Sequence, residues 1–223
     1  MVNSSKHHSF FFRNSLSLVF LILFLVTFLG QTITGWKENN QELIGENAQP
    51  IPLYTYLQSG HFISATFENF ESEFLQMALY VLLTIRLRQI GSAESKSLDE
   101  QEEVDREPIS SPNAPWPVRK GGWILKLYRN SLGLAFSILF FFSWGMHLFG
   151  SWKNYNVSQT LSHKPTATIT AYLGEPRFWF ETFQNWQSEF LSVLAIVFLT
   201  IYLRQKGSPE SKPVDAPHME TGK

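Results

Sequence analysis

The chain has no cysteine. Disulfide frameworks, thiol catalysis and Cys-based metal or iron–sulfur centres are excluded with it. Net charge is nearly absent as well. Eighteen Lys and Arg stand against 19 Asp and Glu, a formal −1, so no basic surface points to nucleic acid. Charge is scarcest inside four apolar blocks. No Gly-rich phosphate loop and no nucleophile elbow occurs. Of six His, only His147 falls within an apolar block. Haem in a helical bundle wants paired His at facing depths, and none is available. The remaining His lie in loops or tails without metal-ligand spacing. No metal and no cofactor is expected.

What is present is apolar and aromatic: 44% hydrophobic residues, 20 of the 223 being Phe. The blocks SLSLVFLILFLVTFLGQTITGW (15–36) and SLGLAFSILFFFSWGMHLFGSW (131–152) carry no charge. Each suffices for a helix of about 33 Å, the thickness of a bilayer core. The blocks FLQMALYVLLTI and FLSVLAIVFLTI are shorter, and reach spanning length only if their helices extend back to Asn69 and Asn185. The first block has features of a cleavable leader. Its counterpart is internal, so both are read as spans. Lys and Arg concentrate in the termini and the central segment, about 14 against four (Lys37, Lys153, Lys164, Arg177) elsewhere. The positive-inside rule then places both termini in the cytoplasm.

The chain also repeats itself. A shift of 116 positions aligns it with itself without a gap, and 34 of the 84 positions from Arg13 to Lys96 are identical. The expected fold is therefore an all-α membrane protein: four transmembrane helices in a pseudo-two-fold bundle built from two parallel tandem repeats. The expected segments are a cytoplasmic N-terminus (1–12) and a first two-helix repeat (13–90, spans about 15–36 and 69–88). An acidic, Pro-rich linker (91–122) follows, read as a solvated, disordered spacer. A second repeat (123–206, spans about 129–152 and 185–204) and a cytoplasmic tail (207–223) complete the chain.

Residues kept in both copies form two layers. The inner one is Arg13, Asn14, Arg88 and Glu94, with Arg129, Asn130, Arg204 and Glu210. It reads as helix starts, Gly stops and salt bridges at helix ends, or as a lipid-headgroup or partner site. The outer one is Asn69, Ser72 and Glu73, with Asn185, Ser188 and Glu189. At 100° per residue, Asn69, Glu73, Gln76, Tyr80 and Thr84 fall on one stripe. Gln31 and His147 stand at similar depth, so a cluster of Glu73, Glu189, Gln31 and His147 is geometrically open. Such a cluster suggests an ion or proton path. The structural reading makes Asn69 and Asn185 helix N-caps, with each Glu in a first turn. Asn156-Val157-Ser158 is a glycosylation sequon that chance accounts for.

Longer motifs go further. RNSLSLVFLILF, SGHFISATFENFESEFLQM, APWPVRKGG, YLGEPRFWFETFQNWQSEFL and LRQKGSPESKPV resemble a family of uncharacterised bacterial integral membrane proteins, a domain of unknown function. The resemblance covers nearly the whole chain and implies a bacterial inner-membrane location. It implies no ligand, activity or catalytic residue. Three functions are carried forward. The leading one is a non-catalytic accessory, interaction or structural membrane subunit, with the lipid bilayer and a membrane protein partner or homo-oligomer as its contacts. The second is a small channel or transporter using the outer polar cluster. The third is an enzyme acting on envelope or lipid substrates.

Overall fold

The computed structural model describes residues 9–222. They are all-helical, without a strand among them, in nine α-helices. Four are long: α2 (Ser15–Gly45), α4 (Gly60–Leu83), α7 (Ser131–Leu161) and α9 (Pro176–Tyr202). Five are short: α1 (Phe10–Arg13), α3 (Leu53–Tyr56), α5 (Trp116–Lys120), α6 (Gly122–Arg129) and α8 (Ile169–Tyr172). The end of the molecule carrying α3 and α8 is called the loop end, and the opposite one the tail end. Two helices, α2 and α7, are long and apolar enough to cross a membrane.

Helix boundaries depart from the expected spans. The helices α2 and α7 run on past Trp36 and Trp152, to 31 residues each, about 46 Å at 1.5 Å per residue. Asn69 and Asn185 are not N-caps. Ser59 caps α4, its side chain accepting from Phe62 N, and Pro176 opens α9 in the first turn, where its missing N–H costs nothing. Both Asn residues therefore lie well inside helices. The α4 helix ends at Leu83, short of Arg88. The central segment expected to be a disordered spacer holds a 3₁₀ turn at Glu103–Asp105 together with α5.

Packing follows the size of the side chains. The closest pair is α4 against α7, and glycine is the reason. A methyl group built on Gly60 would lie 2.6 Å from the Gly150 carbonyl oxygen. One built on Gly150 would lie 2.8 Å from Ile63 Cγ2. Small residues let helix backbones approach to contact. Within each half, by contrast, aromatic rings hold the helices apart. Phe24 meets Phe70 and Phe28 meets Phe62, each with ring centroids 6.1 Å apart. The positions 116 residues on, Phe140 with Trp186 and Trp144 with Phe178, repeat both pairs at 6.1 Å.

Other bonds recur at the same offset. Trp36 Nε1 donates to the Ile51 carbonyl at 2.8 Å, and Trp152 Nε1 to that of Ala167 at 2.7 Å. The Asn40 and Asn156 amides each make two bonds to those same backbones. The sequon asparagine is thus tied into the loop by both ends of its amide. The buried apolar cluster sits at the loop end, where Leu148, Tyr172 and Phe178 pack among tryptophans. Most large apolar residues of α2 face outward, Phe20 being 64% exposed.

The inner motif builds a turn in both halves. Gly91 and Gly207 take φ of +82° and +85°, which favours glycine. The Arg88 guanidinium donates to the carbonyls of Thr84, Ile85 and Leu87, and Arg204 to those of Thr200, Ile201 and Leu203. For Arg204 these are carbonyls of the last turn and cap of α9, and for Arg88 they belong to the cap and turn just past the end of α4. Ser95 Oγ accepts from Gln89 N, and Ser211 Oγ from Gln205 N. Asn14 and Asn130 mark the α1/α2 and α6/α7 junctions, each amide donating to the carbonyl four residues back. Arg129 pairs with Glu107 at 2.7 Å. The Tyr80 hydroxyl donates to Glu94. Arg13 is exposed.

Candidate functional site

The polar residues of the outer layer split up. Asn69 and Asn185 donate to the carbonyls of Ala65 and Glu181, four residues back. Ser72 and Ser188 donate to the carbonyls of those same Asn residues. The repeated Asn-x-x-Ser pattern is thus spent on local helix bonding. Glu73 is exposed, near enough to Glu189 for the two carboxylates to repel. Gln31 donates to the Ala65 carbonyl at 3.1 Å. None of Gln31, Glu73 and Glu189 meets His147.

His147 has other neighbours. Its ring is fully buried on α7. Nδ1 lies 3.1 Å from Oε2 of Glu71, itself fully buried on α4. Nε2 lies 3.8 Å from an oxygen of Glu68 on α4 and 3.8 Å from one of Glu181 on α9. Neither ring nitrogen has an aligned hydrogen-bond partner. Three helices thus converge on one imidazole. Glu68 and Glu71, at i and i+3, share a face of α4. Ser151, one turn beyond His147 on α7, donates to Glu181 at 3.1 Å and bonds the Tyr172 hydroxyl at 2.5 Å.

Further groups frame the set. Trp186 Nε1 donates to Glu71 Oε1 at 3.3 Å. Arg177 Nε donates to Glu181 Oε1 at 2.8 Å. Asn185 borders Glu68, the one expected outer-layer residue besides His147 to touch the set. Phe178 packs on the His147 ring at 5.1 Å between centroids. On the short helix α8, outside the long helices, burial pushes the Tyr172 phenol above its ordinary range, against the Ser151 hydrogen bond that lowers it.

The charges do not balance. Glu68, Glu71 and Glu181 bring three negative charges, and Arg177 one positive. With all three carboxylates ionised, a neutral His147 leaves two negative charges over and a protonated one leaves one. Uncompensated charge away from water is expensive, and the site must draw in a positive species or protons. The ligand atoms of Glu68, His147 and Glu181 all lie within 4.8 Å of one another. Toward the tail end, the cleft between α4 and α9 is lined mainly by apolar side chains, among them Leu79, Leu83, Val193 and Val197, with a few polar contacts. Gln76 donates to the Glu189 carbonyl and to Ser192 Oγ, and Tyr80 binds Glu94 beyond it.

The chain belongs to a family defined by a domain of unknown function, DUF6766, whose model matches residues 7–223. No curated protein and no solved structure matches it.

The sequence reading missed Glu68, Glu71 and Glu181 because it sought what the two copies share. At the 116-residue offset their partners are Gln184, Gln187 and Ala65, and the partner of His147 is Gln31. All four charged or titratable members face neutral counterparts. The signal was divergence between the copies, concentrated on carboxylates near the one His in a span.

Proposed function

We propose that the chain is a multi-pass membrane protein that admits a cation into its helical bundle from the loop end. The observation that carries this reading is His147 with Glu71, both fully buried, and two further carboxylates beside them. Ionisable groups inside a membrane bundle are kept for ion or proton traffic. Burial supports the membrane setting: of the most apolar 18-residue windows of α2 and α7, only 6% and 22% are buried within the protein. A core helix of a soluble domain would be covered far more completely. In this reading all four long helices span a bacterial inner membrane as two parallel repeats, with cytoplasmic termini and the loop end outside.

The test is flux in proteoliposomes of the purified chain, measured for protons and for mono- and divalent cations. His147→Gln and Glu71→Gln are expected to lower the flux at least tenfold. Flux no greater than in empty liposomes would sink the reading, as would flux that ignores both substitutions. A second reading, an accessory subunit, is supported by the outward apolar face of α2, with Phe20 64% and Leu23 53% exposed. It expects a stoichiometric membrane partner on purification in mild detergent. An enzyme at the outer face has less support, because an acid–base pair must meet substrate and the His147 and Glu71 side chains expose no surface to a molecule larger than an ion.

A further inference from the structure

We infer that His147 Nε2, Glu68 and Glu181 are the ligands of a divalent transition-metal ion, with Glu71 orienting the imidazole. The inference rests on the reading that this centre takes a cation, and names the cation.

The first argument is geometric. Metal–nitrogen and metal–carboxylate bonds run about 2.0–2.2 Å, so two donors of one ion stand at most about 4.4 Å apart. His147 Nε2 is 3.8 Å from each carboxylate oxygen. That separation is too long for a hydrogen bond and short enough for an intervening ion. The two carboxylates, within 4.8 Å of one another, need only side-chain rotations of about half an ångström to close on it. Glu68 and Glu181 retain 26% and 22% side-chain exposure, so an ion has a way in.

The second argument is the state of the imidazole. A fully buried ring nitrogen without a hydrogen-bond partner is costly. Glu71 Oε2 stands on the other nitrogen at 3.1 Å. Its negative charge favours the proton on Nδ1, although the contact is not aligned as a hydrogen bond, and this leaves the Nε2 lone pair on the side of Glu68 and Glu181. This carboxylate–histidine arrangement behind a metal ligand fixes the tautomer and raises the basicity of the ligating nitrogen. The Trp186 indole holds Glu71 from its far side.

The third argument is charge and ligand type. Three carboxylates against Arg177 leave two negative charges, which one divalent ion neutralises. One imidazole with two carboxylates suits Mn²⁺, Fe²⁺, Co²⁺ or Zn²⁺. Ca²⁺ and Mg²⁺ prefer all-oxygen shells, and Cu⁺ prefers sulfur. Positions that these three residues leave open on the ion would take water.

The experiment uses the full chain purified in mild detergent, stripped with chelator and titrated with Mn²⁺, Co²⁺ and Zn²⁺. The readouts are bound metal per chain by mass spectrometry and the visible absorption of Co²⁺. One ion per chain is expected. Glu71→Gln should weaken binding ten- to a hundredfold and shift the Co²⁺ spectrum. His147→Gln should weaken it more, whereas Glu73→Gln should leave it unchanged. Should His147→Gln fail to fold by circular dichroism, Glu68→Gln serves in its place. The inference is overturned if none of the three ions binds stoichiometrically, or if binding survives loss of His147 or Glu68. Flux that depends on His147 without bound metal would also overturn it, leaving a proton as the occupant and the cation reading intact. Stoichiometric metal without any flux would keep the site and remove the transport reading.

Discussion

Lys212 and Lys96 occupy the same place in the two halves of the chain, and the structure gives them unequal work. Lys212 is 2% exposed. Its ammonium donates to four backbone carbonyls: Gly91 at 2.6 Å, Pro217 at 3.2 Å, His218 at 2.8 Å and Glu220 at 2.7 Å. It thereby clamps the C-terminal tail to the Gly91 turn. Lys96 instead pairs with Asp105 at 2.5 Å, near the surface, with 16% and 38% side-chain exposure. Lys→Met keeps the stem and removes the charge. A hydrogen bond to a charged group contributes about 1.5–3 kcal/mol, and four sharing one donor are not additive. We expect Lys212→Met to lose about 3 kcal/mol locally and Lys96→Met less than about 1 kcal/mol. At 1.4 kcal/mol per tenfold, the tail should open roughly a hundredfold more often. Hydrogen exchange of residues 213–222 at neutral pH reads this directly, since local opening need not unfold the helices. Equal acceleration in the two variants, or none in Lys212→Met, would refute the argument that the four carbonyls hold the tail.

Two further outcomes follow from the fold. Gly60→Ala places a methyl group against the backbone of Gly150 and Asn154, so α4 and α7 must part. A loss of about 1–3 kcal/mol is expected, seen as a lower midpoint of thermal unfolding in detergent, whereas Gly45→Ala, with open space around it, should not lower it. Burial, with Glu38 adding, pushes the Tyr56 phenol up to about 12. A raised phenol keeps its proton in the folded state. The stability it contributes is therefore complete below the ordinary tyrosine range near pH 10 and is lost as pH rises toward 12. Ultraviolet titration should show phenols ionising late, and Tyr56→Phe should remove that share of the alkaline loss.

The sequence alone determined the helical class, the apolar character of 15–36 and 131–152, and the alignment of the chain with itself. Each is a local property. An uncharged run of spanning length and an identity shared at a fixed offset need no knowledge of what packs against what. The same local logic accounts for Arg88 with Arg204 and Asn69 with Asn185, which bond to backbone within a turn of themselves. It failed where contacts are long-range. The early starts of α4 and α9, by contrast, rest on local signals, Ser59 capping the Phe62 N–H and Pro176 in the first turn, which the apolar centres outweighed in the sequence. The packing order of the helices was decided by Gly60 and Gly150, whose meaning depends on which backbone faces them. Above all, the sequence could not assemble the His147 site. Glu68, Glu71 and Glu181 lie 79, 76 and 34 positions from His147; Glu181 comes from the same half of the chain, and only the docking of the other half brings Glu68 and Glu71 to the same imidazole. A repeat reports what two halves share. The charge that distinguishes this centre resides where they differ, at an interface that exists only in three dimensions.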